Sequence, residues 1–176
     1  MQKVKTAVVG VGGLGRHHLK WLSQIPSSEL VGLYDIDREK SEKYAAEYGV
    51  AAFGSLDEVA HSAQAVSVVV PTTSHFEVAS FLIDRRVNCL IEKPVAASLD
   101  EAKKLRGLCV ARDVKVAVGQ IERFNPAVQA LAYFHIRPSF IEERNQCQTQ
   151  LSSALTAIWP EFCGLICPMG TVFGHL

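Results

Sequence analysis

Three glycines near the amino terminus have the spacing of a turn that binds a diphosphate. Gly10, Gly12 and Gly15 form the pattern G-x-G-x-x-G. The first glycine of this pattern permits a tight bend, the second lets the backbone approach a pyrophosphate, and the third lets a helix pack closely on a strand. The free amides at the start of that helix then face the phosphates. The predicted dinucleotide-binding residues of this turn are Gly10, Gly12, Gly13, Leu14 and Gly15.

An acidic residue follows at the distance expected for a ribose ligand. Asp35 lies 20 residues after Gly15, and a carboxylate there accepts both hydroxyls of an adenosine ribose. It also repels a 2′-phosphate, which favours NAD over NADP. Arg38 is close enough in sequence to help neutralise a phosphate, so NADP stays an alternative, although an exposed arginine in the first turn of a helix is the plainer interpretation. S-adenosylmethionine in a methyltransferase is a further alternative, because the same turn and acid bind its ribose.

Two further segments with polar side chains come directly after apolar runs. Residues 65–70 are followed by Pro71-Thr72-Thr73-Ser74-His75, and residues 87–91 are followed by Glu92-Lys93-Pro94. In open parallel sheets, ligands bind outside the carboxyl ends of the strands. We therefore expect the Lys93 side chain to project from the ligand-binding edge. A methyltransferase would have no use for the Glu92-Lys93-Pro94 segment. It therefore ranks third, after an NAD-dependent enzyme and a non-catalytic NAD-binding module.

The elements that must position these residues alternate in the manner of βαβ units. Continuous apolar, β-branched runs are typical of strands buried on both faces of a parallel sheet; they cover residues 4–10, 30–35, 65–70, 87–91 and 114–119. Amphipathic segments predict helices between them, at 13–25, 37–48, 55–61, 74–86 and 98–112. Three of these helices are predicted to begin with a capping box, formed by Ser55 with Glu58, Ser74 with Glu77, and Ser98 with Glu101. The fold class is thus α/β with a doubly wound parallel sheet.

Composition excludes several classes of protein. The 176 residues are 48% hydrophobic and 20% charged, which excludes a disordered or low-complexity chain. The 18 basic residues balance 18 acidic ones, so no overall field attracts nucleic acid or a membrane surface. The five cysteines form no C-x-x-C pair, and neither a disulfide framework nor a metal site is indicated. Reduced thiols and the lack of a secretory pattern favour a cytoplasmic location and a small-molecule partner.

Taken together, four motifs resemble the Gfo/Idh/MocA oxidoreductases, which include glucose-fructose oxidoreductase and inositol dehydrogenase. These motifs are the glycine turn, the Pro71-Thr72-x-x-His75 segment, Glu92-Lys93-Pro94, and Gly119-Gln120-Ile121-Glu122-Arg123-Phe124-Asn125-Pro126. The resemblance spans about residues 1–144. The stretch 122–126 is similar to that of members acting on UDP-N-acetylglucosamine at its 3-position.

The resemblance implies a role for each candidate residue. The glycines would bind the pyrophosphate of NAD, Asp35 the adenosine ribose, and Thr72 and His75 would line the nicotinamide side. Glu92 and Lys93 would lie near the nicotinamide ribose and the reacting carbon. Lys93 would assist proton transfer at a hydroxyl of a sugar, cyclitol or nucleotide sugar while hydride leaves the same carbon. Partial desolvation lowers a lysine's pKa toward working pH, which suits this role.

The carboxyl-terminal segment departs from the family's pattern. We assign residues 1–120 to a dinucleotide-binding Rossmann domain and residues 121–176 to the incomplete start of a substrate and oligomerisation domain, with a helix at 125–136 and a strand at 139–144. No Lys or Arg follows Arg144, no Asp follows Asp113, and His175 stands without the family's Asp partner. These features lead to the hypothesis of a truncated product or a shifted reading frame after about residue 146. Apolar surface left uncovered would favour association of copies.

Two functions from different classes are consistent with these residues. The leading hypothesis is an NAD-dependent dehydrogenase of the sugar or cyclitol class, with the activity of this chain itself left open. The alternative is a non-catalytic NAD-binding module. Cofactor binding without reduction of NAD by any sugar or polyol favours the module.

Overall fold

The computed structural model describes residues 2–126, which alternate between strands and helices. The strands are β1 Val4–Val9, β2 Ser28–Tyr34, β3 Ala51–Ala52, β4 Ala65–Val68, β5 Asn88–Ile91 and β6 Val116–Val118. The helices are α1 Gly13–Gln24, α2 Arg38–Tyr48, α3 Leu56–Ser62, α4 Thr72–Asp84 and α5 Leu99–Arg112, followed by a 3₁₀ turn at Ile121–Phe124. The five strands and five helices predicted between residues 4 and 119 are therefore confirmed, with bounds shifted by a few residues.

The six strands form one parallel sheet with the order β3-β2-β1-β4-β5-β6. This is the strand order of a dinucleotide-binding doubly wound fold, and it confirms the predicted fold class. Strands β2 and β3 are added on one side of β1, and β4, β5 and β6 are added on the other side. In such a fold a crevice forms beyond the strand ends where this order switches, between β1 and β4. The carboxyl ends of β1, β2, β4 and β5 bring the candidate residues to one edge.

Apolar strands and the inner faces of helices α3, α4 and α5 form the core of the sheet. Fully buried side chains include Val8, Val68 and Ile91 from the strands and Leu82 and Ile83 from α4. The strands are apolar at consecutive positions because both faces of a parallel sheet are covered. Residues up to Gly119 form one compact unit.

Two of the three predicted capping boxes form. Ser55 accepts the amide of Glu58 and Ser98 accepts the amide of Glu101, each at 3.2 Å. The prediction at Ser74 is wrong, because α4 begins two residues earlier at Thr72, after Pro71. The Ser74 amide donates to the Pro71 carbonyl at 2.8 Å, so Ser74 lies inside the first turn rather than at its cap.

Some features were missed and others lie outside the described residues. Strand β3, only two residues long, and the 3₁₀ turn at Ile121–Phe124 were not predicted, since neither is long enough to show a period. The predicted strand 139–144 lies outside the described residues. So do most of the predicted helix 125–136 and nearly all of the segment 121–176, which we assigned to a second domain. Within residues 2–126, no helix is long and apolar enough to cross a membrane, and no cluster of metal-ligating side chains occurs there.

Candidate functional site

The glycine turn connects β1 to α1 through a backbone that excludes side chains at two positions. Gly10 has φ +90°, a conformation that side chains rarely allow, and a Cβ there would collide with the Val69 carbonyl. A Cβ at Gly15 would collide with the Gly10 carbonyl oxygen. These two glycines therefore permit the sharp turn and the close approach of α1 to β1.

The other glycines of the turn leave space at the start of α1. Within the described chain, nothing lies within 4 Å of a Cβ placed at Gly12 or Gly13. Among the described residues, no side chain caps this helix and no acidic residue lies in its first turn. The first amides of a helix have no intrahelical acceptors and carry partial positive charge. This turn can therefore receive an anionic group through its backbone.

Asp35 lies at the end of β2 and joins the glycine turn to α2. Its Oδ2 accepts the Val11 amide at 2.7 Å and its Oδ1 accepts the Asp37 amide at 2.9 Å. The Ser41 hydroxyl accepts the Asp35 amide at 2.8 Å. Each carboxylate oxygen keeps a second lone pair, so the oriented carboxylate can still accept hydroxyl groups. Beside it, the Ile36 side chain is 91% exposed and offers an apolar surface.

The predicted phosphate ligand Arg38 is engaged by acidic groups. Its Nε donates to Glu42 Oε1 at 2.7 Å, one turn along α2, and both side chains are exposed. The hydrogen bond and charge of Glu42, with a further contribution from the charge of Glu58, raise the pKa of the Arg38 guanidinium. Arg38 is therefore turned along its own helix, and its contact with a cofactor stays a prediction.

Glu92 follows β5 and is buried among polar contacts. Its Oε1 lies 3.2 Å from Nε2 of His18 on α1, and its Oε2 accepts the Lys93 amide at 3.1 Å. A Cβ at Gly119, just past β6, would lie 2.6 Å from Oε1. Glu92 is thus enclosed by α1, by its own turn and by the end of β6.

The charge of Glu92 is maintained despite its burial. Desolvation alone raises the pKa of this carboxyl, but the hydrogen bond and charge of His18, with the amide and charge of Lys93, outweigh it and lower the pKa. Glu92 is therefore an anion at neutral pH. Lys93 itself is exposed, next to this buried anion on the ligand-binding edge.

Thr72 and His75 lie in the first turn of α4, at the end of β4. Thr72 is partly exposed, whereas His75 is 1% exposed. His75 Nδ1 lies 2.8 Å from the Pro94 carbonyl oxygen, and Nε2 lies 2.9 Å from the Val70 carbonyl oxygen. Both ring nitrogens are used within the protein. His75 therefore supports the turn that carries Lys93, and its expected place on the nicotinamide side stays a prediction.

The family model that matches this fold and site is the GFO_IDH_MocA oxidoreductase family with an NAD-binding Rossmann fold, over residues 4–120. That match covers more than half of the chain. The chain belongs to this family. The resemblance inferred from the four motifs is confirmed.

Individual Gfo/Idh/MocA proteins with established names are similar to this chain. UDP-N-acetylglucosamine 3-dehydrogenase of Acidithiobacillus ferrooxidans is 40% identical over 131 residues, 74% of this chain and 41% of that protein. Glucose-6-phosphate 3-dehydrogenase of Bacillus subtilis is 31% identical over 78% of this chain and 37% of its own length. The chain therefore spans less than half the length of these relatives.

Solved structures of Gfo/Idh/MocA proteins match the described domain. The A. ferrooxidans 3-dehydrogenase matches with a TM-score of 0.72 and 39% identity, over 77% of this chain and 44% of that one. GenD2 from gentamicin A biosynthesis, solved in complex with NAD, matches with a TM-score of 0.65 and 29% identity, over 68% of this chain and 35% of that one.

The residues present in this Gfo/Idh/MocA domain fit NAD. A Cβ at Gly12 or Gly13 would enter open space, which leaves room for a diphosphate against the amides of α1. Asp35 presents an oriented carboxylate at the neighbouring strand end. We call the Glu92–Pro94 segment the Lys93 turn. It follows β5, which is two strands from β1 on the side opposite β2. These groups are spread along the edge of the sheet, as an extended dinucleotide requires.

Sequence reasoning missed three residues that support this site. His18 was not predicted as a site residue, yet it is buried against Glu92. Ser41 orients Asp35, and Gly119 makes room for Glu92. The signal available for His18 was a polar residue four positions before the buried Leu22, on the inner face of α1. Nothing in the sequence indicated its partner 74 residues away.

Proposed function

We propose that this chain is the NAD-binding part of a dehydrogenase that oxidises a secondary alcohol of a sugar, a cyclitol or a nucleotide sugar. The observation that carries the proposal is the arrangement of three features on one sheet edge: the open glycine turn, Asp35 and the Lys93 turn. When bound, NAD⁺ supplies a hydride acceptor, so the alcohol would lose a hydride from carbon and a proton from oxygen. The residues of this chain orient the cofactor and move that proton.

The adenosine half of the cofactor is assigned to the ends of β1 and β2. The amides at the start of α1 would bind the diphosphate, and Asp35 would accept the two ribose hydroxyls. The exposed Ile36 side chain would cover one face of the adenine. Because Asp35 is an anion directly at the ribose, a 2′-phosphate would be repelled. NAD is therefore the proposed cofactor, and NADP the weaker one.

The nicotinamide half is assigned to the ends of β4 and β5. Thr72 would line this side, and Glu92 would lie near the nicotinamide ribose. Lys93, as a neutral amine that has given its own proton to solvent, would take the proton from the substrate hydroxyl, because its exposed side chain starts at the binding edge.

Oxidation at the 3-position of a sugar is the finer proposal for the reaction. The two named relatives described above are 3-dehydrogenases, one of a nucleotide sugar and one of a sugar phosphate. The higher identity to the UDP-N-acetylglucosamine enzyme, together with residues 122–126, favours the nucleotide sugar. We also propose that residues 121–176 begin the substrate-binding part of the protein and that copies of the chain associate. Sedimentation velocity at several concentrations tests the association.

Side-by-side calorimetric titration with NAD⁺, NADP⁺ and S-adenosylmethionine tests the cofactor assignment. We expect NAD⁺ to bind best and S-adenosylmethionine not to bind. Asp35→Asn, which cannot accept both hydroxyls as a carboxylate does, is expected to lower NAD⁺ affinity by on the order of tenfold. No heat with NAD⁺, or equal affinity in Asp35→Asn, would contradict the proposal.

A turnover assay separates the dehydrogenase from the alternative of a non-catalytic NAD-binding module. NADH formation is followed with UDP-N-acetylglucosamine, glucose 6-phosphate and inositols. Lys93→Ala is expected to leave NAD⁺ affinity nearly unchanged and to abolish any turnover. Tight NAD⁺ binding with no NADH from any of these alcohols supports the module instead.

A further inference from the structure

The Lys93 turn lies between two buried histidines that belong to different helices. His18 comes from α1 and His75 from α4, and each is 1% exposed. His18 contacts the side chain of Glu92, the residue before Lys93, and His75 contacts the carbonyl of Pro94, the residue after it. A residue on either side of the lysine is therefore held by an imidazole from a distant part of the chain.

The contact on the amino-terminal side is an oriented hydrogen bond. Since Glu92 is an anion, its oxygens only accept, and His18 Nε2 must donate across the 3.2 Å contact. The other carboxylate oxygen accepts the Lys93 amide. Contact with Gly119 closes the remaining side, because a Cβ there would lie within 3.1 Å of three carboxylate atoms. His18 therefore determines where the Lys93 amide finds its acceptor.

The contact on the carboxyl-terminal side ties two strand ends together. Val70 follows β4 and Pro94 follows β5, and the His75 ring lies between their carbonyl oxygens. Carbonyl oxygens only accept, so a neutral imidazole satisfies one of them and the imidazolium satisfies both. As the imidazolium, or as the neutral tautomer protonated on Nδ1, the ring donates to Pro94 and holds the Lys93 turn against the start of α4.

We propose that His18 and His75 are positioning residues for Lys93, and that they fix the turn against which the nicotinamide half of NAD binds. This inference rests on the proposed function for its consequence in binding. The Lys93 side chain is exposed and has four rotatable bonds, so the part of this residue that the fold can fix is its backbone, the point from which the side chain starts. Besides strand pairing, two contacts restrain that backbone: His18 contacts the Glu92 carboxylate, and His75 contacts the Pro94 carbonyl.

His18 also links the two halves of the cofactor site. It lies on α1, whose first turn faces the diphosphate, and it contacts the turn assigned to the nicotinamide half. A shift of α1 on binding phosphate would therefore move the donor of Glu92 as well. The two ends of a bound dinucleotide meet groups that are connected through one rigid helix.

The first test compares NAD⁺ with ADP-ribose, which lacks the nicotinamide, in calorimetric titrations of the full chain. In His18→Leu we expect NAD⁺ affinity to fall by about tenfold, with ADP-ribose affinity unchanged. In His18→Gln, whose amide can donate to Glu92 as Nε2 does, we expect most of the NAD⁺ affinity to return. Equal losses for both ligands, or no difference between Leu and Gln, would overturn the role of His18.

The second test separates the two contacts of His75. Asn reaches as Nδ1 does and can keep the bond to Pro94, whereas Gln reaches as Nε2 does and can keep the bond to Val70. Each variant leaves one carbonyl unsatisfied, so similar melting temperatures are expected. We expect His75→Asn to retain NAD⁺ affinity and His75→Gln to lose about tenfold. The same affinity in both variants would show a merely structural role.

A measurement without ligand distinguishes failure of this inference from failure of the proposed function. Hydrogen exchange of the Lys93 amide, observed by NMR, reports its bond to Glu92 directly. We expect its exchange rate to rise by on the order of tenfold in His18→Leu and to stay at the wild-type rate in His18→Gln. This result with no NAD⁺ binding in any variant would keep the positioning role and overturn the function. An unchanged rate in His18→Leu would overturn the positioning role.

Discussion

The glycine turn and the Lys93 turn lie on the same sheet edge but are built by different means. The glycine turn is shaped by missing side chains: a Cβ at Gly10 or Gly15 would collide with backbone. The Lys93 turn is shaped by side chains that are present, through the contacts of His18 with Glu92 and of His75 with Pro94. The glycine turn is formed by residues close together in the chain. The Lys93 turn depends on three separate segments: α1, α4 and the residues after β5.

This difference predicts different behaviour on mutation. Steric exclusion by backbone cannot be relieved by a rotamer change, so substitutions of Gly10 or Gly15 should damage the fold itself. Hydrogen-bonded side chains can be replaced by groups with the same donor, so the Lys93 turn should tolerate conservative variants.

The largest effect is expected at Gly15. Gly15→Ala directs a Cβ into the Gly10 carbonyl, and we expect a loss of about 3 kcal/mol in free energy of unfolding together with loss of NAD⁺ binding. Gly12→Ala is the matched control, since its Cβ enters space free of described atoms. It should keep the melting temperature and lose only NAD⁺ affinity. Thermal melts beside titrations check both, and equal destabilisation by the two variants would contradict the steric argument.

A smaller loss of stability is expected from substitution of Gly119, where a missing side chain makes room for the hydrogen-bonded Glu92 carboxylate. Gly119→Ala forces the Glu92 carboxylate to move, because the new Cβ would lie 2.6 Å from Oε1. We expect a cost of about 1–3 kcal/mol in urea unfolding and a loss of NAD⁺ affinity without loss of ADP-ribose affinity. Gly107→Ala, inside α5 with no described atom within 4 Å of its Cβ, should instead stabilise the protein slightly. Unchanged stability in Gly119→Ala would show that Glu92 is loosely held.

The charge of Glu92 should make part of the stability depend on pH. Its pKa is below the ordinary value of 4.5, so ionised Glu92 stabilises the folded protein above that pH, and this contribution is lost as pH falls through the folded pKa. We expect Glu92→Gln to be less stable than wild type near pH 6, with the difference shrinking below pH 4.5. Urea unfolding at a series of pH values measures it. A constant difference would mean that the charge contributes nothing.

The smallest effect is expected from the exposed pair on α2. Glu42→Gln removes the partner of Arg38 and frees the guanidinium for a 2′-phosphate. Because exposed ion pairs contribute only about 0.2–1 kcal/mol, NADP⁺ affinity should rise by no more than about fivefold, with NAD⁺ affinity unchanged. Glu47→Gln, the same charge change at the far end of α2, should leave both unchanged. Equal NADP⁺ gains in the two variants would point to net charge instead of Arg38.

Features formed by residues close together in the chain could be predicted from the sequence, whereas contacts between distant segments could not. The glycine turn, Asp35 and the alternation of strands and helices could be predicted because each depends on residues close together in the chain. The capping boxes at Ser55 and Ser98 could be predicted for the same reason. The failure at Ser74 has a local cause, since Pro71 allows the helix to begin at Thr72 and leaves the Ser74 amide donating to its carbonyl.

His75 shows where such reasoning ends. Its position after β4 indicated a residue at the ligand edge, and that placement is correct. Only the packing of α4 against the Lys93 turn shows that both ring nitrogens are used by the carbonyls of Val70 and Pro94. Arg38 is similar, because its place in α2 was predictable while its hydrogen bond with Glu42 depends on a rotamer.

The sequence by itself determined the doubly wound sheet, the glycine turn and the order of the candidate groups along one edge of the sheet, because periodicity, glycine positions and strand ends are properties of short segments. Only the tertiary structure decided how Lys93 is held. Its neighbours are fixed by His18 and His75, and the space for Glu92 comes from Gly119. Contacts between residues so far apart in the chain exist only after the strands have paired and the helices have packed.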